Sequence, residues 1–181
     1  GTSDGLQSDR VEVVSYDAAS QTMWIAYTKG GLSVFRGSRE MPLMHDIADR
    51  TDRNAMTDVL AFAPAKNGMW IGLEDRGVWL HDSQGDRNVI GNGSAVFMYS
   101  SRNGDLWAGI YQRGLVNRRV DGQERLYLEG TSPFAIAENE RGDIFAALLG
   151  KGVWQIEPGS GMASDTHIPN DYVFDLEYHE H

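Results

Sequence analysis

Positively charged side chains recur at one position of this sequence. Three of them directly precede a repeated glycine, and the fourth lies one residue earlier relative to its glycine. The four cations are Lys29, Arg76, Arg113 and Lys151. Three other side chains in the same short segments can form polar or stacking contacts: Glu74, Tyr111 and Gln112. Lysine and arginine bind carboxylate and other oxyanions, and a repeated cation stands out in a chain of formal net charge −10. The pattern predicts that these seven side chains form an anion-binding surface, which we call the rim, for acidic sugars or a carboxylate-bearing partner. The alternative is that each cation is a solvated side chain in a polar turn.

Catalytic and metal-binding patterns are weaker. The histidines are His45, His81, His167, His179 and His181, and no pair has the spacing of metal ligands within one element. The sequence offers no convergent set of nucleophile and base, and there is no cysteine to supply a thiolate. We therefore predict no catalytic residue, no metal site and no cofactor.

Composition excludes several functional classes. A pI near 4.8 argues against a nucleic-acid-binding surface, which would normally be basic. No apolar run approaches the length of a membrane-spanning helix, so we expect no membrane contact by this segment. The 21 glycines and five tryptophans among 181 residues are typical of a turn-rich, all-β protein.

An aromatic residue is followed seven residues later by a glycine at four places along the chain. The pairs are Trp24/Gly31, Trp70/Gly77, Trp107/Gly114 and Phe145/Gly152. The aromatic residues are 46, 37 and 38 residues apart. A fixed period of this length indicates a repeat architecture, so the cations before these glycines occupy equivalent positions in successive repeats.

Each repeat predicts the same series of short strands. An apolar first strand, such as Val96–Ser100, is followed by a turn that in two repeats contains Asn-Gly, the aromatic second strand and a third strand after the glycine. A more polar outer strand is clearest at Arg125–Leu128, and Met41–Ile47 could hold another. Residues 48–57 read as an inserted excursion. Tyr172–Tyr178 reads as one more first strand.

Repeated four-stranded antiparallel sheets that bury their faces against one another predict a β-propeller. We expect one propeller domain, or a fragment of one, over residues 1–181. Complete repeats are predicted at about 11–45, 57–92, 94–130 and 132–168, with half repeats at 1–7 and 170–181. The aromatic residues are expected to pack between blades and the glycines to meet a turn requirement.

The phrase Trp70-Ile71-Gly72, followed by Gly77-Val78, resembles the two-component regulator propeller repeat, with its consensus "G-x-l-W-i-G-T…G-L". Ala26 and Ala146 depart from the glycine of "W-i-G", and Phe145 departs from its tryptophan. The resemblance covers nearly the whole chain. It implies a propeller from the periplasmic sensor part of bacterial hybrid histidine kinases, many of which respond to oligosaccharides.

Three functions follow as expectations. The favoured one is a non-catalytic sensing propeller that binds a small molecule, an oligosaccharide or an acidic ligand at the rim. The second is a protein-interaction scaffold that completes its ring by self-association through open blade edges. A propeller lyase, resembling the streptogramin-inactivating enzyme, is less favoured because no histidine and acid set can be assigned.

Overall fold

The computed structural model describes residues 10–28, 31–37, 39–41, 59–168 and 173–179. Within these ranges the secondary structure is sixteen β-strands in four separate sheets. The first sheet contains β1 (Val11–Asp17), β2 (Thr22–Tyr27), β3 (Leu32–Arg36) and β4 (Arg39–Met41). The second contains β5 (Val59–Ala65), β6 (Gly68–Leu73), β7 (Gly77–Asp82) and β8 (Gly85–Ile90). The third contains β9 (Ala95–Ser100), β10 (Leu106–Ile110), β11 (Gly114–Arg118) and β12 (Glu124–Tyr127). The fourth contains β13 (Pro133–Glu138), β14 (Ile144–Leu148), β15 (Gly152–Glu157) and β16 (Met162–Asp165).

Every sheet is an antiparallel meander in which consecutive strands are neighbours. This confirms the predicted all-β class and its four-stranded blades. The outer strand predicted at Arg125–Leu128 is β12, displaced by one residue, and the second and fourth sheets have outer strands that the sequence did not single out. No helix that could cross a membrane is found in the described ranges.

The strand predicted at Tyr172–Tyr178 is the clear error. The chain from Val173 to His179 forms no strand, and Phe174 is 68% exposed. An apolar and β-branched composition favours a strand, but a strand also needs a neighbour to pair its backbone groups, and no described strand pairs with this segment. The half repeat at 1–7, the excursion at 48–57 and most of Met41–Ile47 lie outside the described residues.

The chain forms two compact units, residues 1–95 and 96–181. In the first unit, which we call the N-terminal unit, Trp24 is 6% exposed and its ring centroid lies 6.2 Å from that of Phe62 on β5. Met69, Ile71 and Leu73 of β6 belong to the same core. The aromatic of the first repeat thus packs between the first two sheets, as predicted.

In the second unit, which we call the C-terminal unit, Trp107 is 1% exposed. Its ring centroid lies 5.4 Å from that of Tyr127, and its cluster includes Ile136 and Ile144 of the fourth sheet. The apolar seam between the third and fourth sheets therefore fixes the ends of their strands relative to each other. Trp70 and Phe145, by contrast, are only partly buried.

Two of the repeated glycines, Gly77 and Gly114, are required by a close backbone approach as well as by a turn. Gly77 has φ +69°, and a Cβ atom there would lie 1.9 Å from the carbonyl oxygen of Ile90. Gly114 has φ +126°, and its Cβ would lie 2.7 Å from the carbonyl oxygen of Tyr127. In both sheets the third strand therefore starts where the end of the outer strand leaves no room for a side chain.

Replacing Gly77 with alanine should destabilise the protein more than replacing Gly150. Gly150 has φ +70°, matching Gly77, but no heavy atom lies within 4 Å of its Cβ position. Gly150→Ala should cost about 1 kcal/mol of left-handed backbone strain, and Gly77→Ala a further 1–3 kcal/mol or so for the clash. Urea unfolding of the two variants measures the difference, and equal losses would show that the approach at Ile90 is unimportant.

Candidate functional site

The loop that joins the second and third strands of a sheet, the 2–3 loop, has a common backbone form. The residue five places after the aromatic has positive φ in each described case: Asp75 (54°), Gln112 (56°) and Gly150 (70°). The glycine two places later also has positive φ. Each cation, Arg76, Arg113 or Lys151, therefore lies between two left-handed residues at the tip of a tight loop.

The backbone of each cation is tied to its surroundings. The indole Nε1–H of Trp79 donates to the carbonyl oxygen of Arg76 over 3.2 Å, and Trp154 donates to Lys151 over the same distance. In the third sheet the Gly130 N–H donates to the carbonyl oxygen of Arg113 over 3.0 Å. These tryptophans on the third strands were not recognised in the sequence as loop anchors, although both lie two residues after the repeated glycine.

The 2–3 loops also contact the segments that enter the following first strands. The Asp75 N–H donates to Ser94 Oγ over 3.0 Å, and the Gln112 N–H donates to Ser132 Oγ over 2.9 Å. Ser94 and Ser132 each directly precede a first strand. The expectation that these two kinds of segment lie side by side is therefore confirmed within each unit.

The predicted rim side chains are mostly exposed. Glu74, Tyr111, Gln112, Arg113 and Lys151 are exposed. Arg76 is half-buried, and its guanidinium carbon lies 5.7 Å from the ring centroid of Trp79, within cation–π range. Arg113 and Lys151 belong to the C-terminal unit, Arg76 to the N-terminal unit, and Lys29 lies outside the described residues. An anion-binding rim formed by these four residues stays a prediction.

His81 takes part in packing and pairing on β7. Its Nδ1 lies 2.6 Å from Asp86 Oδ1, and its ring meets the edge of Trp24 at a centroid distance of 5.3 Å. In the described ranges no three histidine, aspartate or glutamate side chains are placed to hold a metal ion. The chemistry of His81 is therefore that of a hydrogen-bonded residue in a packed seam.

A cavity of about 720 Å³ lies in the C-terminal unit, at the opposite end of the strands from the 2–3 loops. It is bordered by three turns: β9 to β10, β13 to β14, and β15 to β16. Seven charged residues line it: Arg102, Asp105, Glu138, Glu140, Arg141, Asp143 and Glu157. Trp107, Ile144 and Pro158 supply apolar wall. The sequence showed the turn residues only as turn formers, so this end of the repeat was missed.

Asparagine side chains hold two of these turns rigid. Asn103 Oδ1 accepts the Asp105 N–H over 3.0 Å. Asn139 Oδ1 accepts the N–H groups of Arg141 and Asp143 over 3.0 and 2.9 Å. Such side-chain to backbone bonds fix a turn without help from another element. The charged side chains around the cavity are therefore carried on a preformed backbone.

Glu138 lines the cavity with a largely buried side chain, 6% exposed. Its Oε2 accepts the Tyr99 hydroxyl over 3.2 Å and the Arg102 N–H over 3.0 Å, and lies 3.6 Å from Arg102 Nε. Burial raises the pKa of the Tyr99 hydroxyl, and the Glu138 charge and hydrogen bond raise that pKa further. Tyr99 is therefore a neutral donor at physiological pH.

No family model matches the sequence, and no match was found among curated proteins. Solved structures match at low identity. The extracellular domain assigned to the hybrid two component system BT3049 from B. thetaiotaomicron has a TM-score of 0.68 and 16% identity, covering 91% of this chain and 25% of that chain. The extracellular domain assigned to the one component system BT4673 from the same organism has a TM-score of 0.69 and 13% identity, covering 94% and 25%. The β-propeller domain of Myceliophteria thermophila Cps50 (Swd1) has a TM-score of 0.60 and 9% identity, covering 88% and 56%.

These similarities show the fold, which is a β-propeller whose four described sheets are blades. They include the extracellular domain assigned to a hybrid two component system, the class of signalling protein that the sequence resemblance implied. The chain spans about a quarter of the length of those two extracellular domains.

Replacing Tyr99 with phenylalanine should lower the stability of the protein near neutral pH. The stability of the variant should also fall less than that of wild type as the pH is raised into the alkaline range. The lost hydrogen bond to Glu138 should cost about 1 kcal/mol at pH 8. Because the folded-state pKa of Tyr99 is raised, its stabilising effect is complete below the unfolded pKa of about 10 and is lost as pH rises through the folded value. Urea unfolding at pH 8 and pH 11 should show the stability gap between wild type and Tyr99→Phe shrinking. A gap that stays constant would contradict this pairing.

Proposed function

We propose that this chain is a non-catalytic, ligand-binding β-propeller of the sensor type that acts outside the cytoplasm. The observation that carries the proposal is the construction of the 2–3 loops. Their backbones are tied at the carbonyl of each described cation, while the side chains of Arg113, Lys151, Tyr111 and Gln112 are exposed. A binding surface gains affinity when its loops are ordered before the ligand arrives.

The proposed ligand of this rim is an acidic oligosaccharide. Arginine and lysine supply charge-assisted hydrogen bonds to carboxylates, and a tyrosine ring offers a flat surface for a sugar. Both extracellular domains that share the fold belong to signalling systems, which supports a sensing role. Lys29, at the corresponding loop of the first repeat, is proposed as a fourth member of the rim.

A second candidate function, self-association as a scaffold, is favoured by one apolar surface. A register shift after Val11 places three residues of β1 on a single face of the first sheet. They are Val11, Val14 and Tyr16, which are 41%, 52% and 60% exposed. The opposite face of this sheet is covered by the second sheet through Trp24 and Phe62. A blade from a second copy of this chain is therefore the proposed occupant.

Removing the rim cations should weaken binding of acidic sugars and leave neutral sugars unaffected. The test variant combines Arg76→Gln, Arg113→Gln and Lys151→Gln. Because an exposed charge pair contributes about 0.5 kcal/mol, we expect about tenfold weaker binding of an oligogalacturonate measured by titration calorimetry at low salt.

The matched control changes three exposed cations outside the 2–3 loops: Arg36→Gln, Lys66→Gln and Arg119→Gln. A neutral galactan oligosaccharide of equal length is the control ligand. If the two triple variants bind the acidic ligand equally, its recognition depends on overall charge and the rim is discarded.

Replacing Val14 and Tyr16 with lysine should dissociate any assembly formed through the first sheet. Light scattering after size exclusion should show wild type as a dimer or larger and Val14→Lys/Tyr16→Lys as a monomer, because two buried charges oppose the contact. Val120→Lys, at an apolar residue 76% exposed in the C-terminal unit, is the control and should not change the mass. A monomeric wild type at micromolar concentration would remove the scaffold function from consideration.

A further inference from the structure

The two 2–3 loops of the C-terminal unit are built on the same four-residue turn. The Arg113 N–H donates to the carbonyl oxygen of Ile110 over 3.1 Å, and the Lys151 N–H donates to that of Leu148 over 3.2 Å. In both turns the third residue has positive φ. The second and fourth residues of one turn are therefore held in the same way as those of the other.

The second residue of each turn is an exposed apolar side chain. Tyr111 and Leu149 are each 44% exposed, and each lies two residues before the exposed cation of its own loop, Arg113 or Lys151. Apart from its chain neighbours, no heavy atom lies within 4 Å of the Cβ position of Gly150, so the surface beside Leu149 is open. Each loop thus presents an apolar surface and a cation close together.

Ser132 joins the two loops. Its hydroxyl accepts the Gln112 N–H over 2.9 Å, and its carbonyl oxygen accepts the Leu149 N–H over 3.1 Å. Ser132 is only 8% exposed, so it lies beneath the exposed side chains of both loops. Because both loops are hydrogen-bonded to one residue, their tips are neighbours, and a single ligand can contact both.

The 2–3 loop of the second sheet has a different composition. Glu74 occupies the place that Tyr111 and Leu149 occupy in the C-terminal unit, and Arg76 is half-buried against Trp79. A carboxylate at that place repels an acidic ligand. The two loops of the C-terminal unit are therefore the part of the surface that suits a ligand with both carboxylates and apolar faces.

A uronic acid residue has the matching chemistry. Its carboxylate accepts charge-assisted hydrogen bonds from arginine or lysine. The C–H groups on one face of its ring pack against aromatic or aliphatic side chains, whose burial favours binding. One loop suits one such sugar residue, and two adjoining loops suit two.

We propose that Tyr111 with Arg113, and Leu149 with Lys151, form two adjoining subsites that each bind one uronate residue of the same oligosaccharide. This inference rests on the proposed function of the rim. It adds Leu149 to the binding surface, makes a diuronate the smallest ligand that fills the site, and assigns specificity for the sugar rings to Tyr111 and Leu149.

The first test is titration calorimetry of the full chain at low salt with galacturonic acid and digalacturonate. Digalacturonate should bind at least about tenfold more tightly, because its second residue binds an adjoining loop without a second loss of translational freedom. Equal affinities would overturn the two subsites. If neither acid binds at millimolar concentration, the proposed function of the rim fails, and this inference fails with it.

Variants of the two apolar residues assign the subsites. Tyr111→Ala and Leu149→Ala should each weaken digalacturonate binding about fivefold, because the ring of one sugar residue loses its apolar contact. Tyr111→Phe retains the ring and should bind as wild type does. A thermal melt of each variant reports whether the fold is intact.

The matched control is Val120→Ala, which truncates an apolar residue that is 76% exposed and lies in the same unit outside the 2–3 loops. It should leave the affinity unchanged. If wild type binds digalacturonate and the variants of Tyr111 and Leu149 bind it as tightly as Val120→Ala does, the rim keeps its function and the two subsites are rejected.

Discussion

The carbonyl oxygen at the end of an outer strand occupies the space that a side chain would need at the repeated glycine. At Gly77 the carbonyl oxygen of Ile90 is 1.9 Å from the Cβ position, and at Gly114 that of Tyr127 is 2.7 Å away. Because protein interiors are close-packed, a methyl group at either glycine would force the backbone to move. The 2–3 loop must therefore reverse within a few residues, and two left-handed residues allow it to do so.

The form of the 2–3 loop in turn determines how its cation is held and how the loop contacts the next repeat. The cation between the left-handed residues is held through its carbonyl oxygen, so Arg113 and Lys151 present side chains from fixed backbones. The N–H of the first left-handed residue, Asp75 or Gln112, donates to the hydroxyl of Ser94 or Ser132, and this bond joins one repeat to the start of the next. The close backbone approach at the repeated glycine therefore affects the shape of the loop, its contact with the next repeat and the placement of its cation.

The fold was largely predictable because it depends on short-range signals that repeat. The aromatic-to-glycine spacing and the apolar first strands predicted the four sheets. The strand expected at Tyr172–Tyr178 failed because composition does not supply a pairing neighbour. The cavity at the β9–β10, β13–β14 and β15–β16 turns was missed because Glu138 and Glu157 are brought together with the Ser101–Asp105 turn only by packing of the third and fourth sheets. Sequence spacing carries no signal for such contacts between repeats.

The C-terminal unit separates charge along its strands. Its 2–3 loops carry Arg113 and Lys151, while the opposite end carries the carboxylates around Glu138. In physiological salt, charges on the surface are screened from one another beyond about 8 Å. The electrostatic potential at each end therefore depends on the charges nearby and not on the net charge of −10. Because both ends belong to the same strands, a ligand bound at the 2–3 loops would stabilise the whole folded unit by mass action.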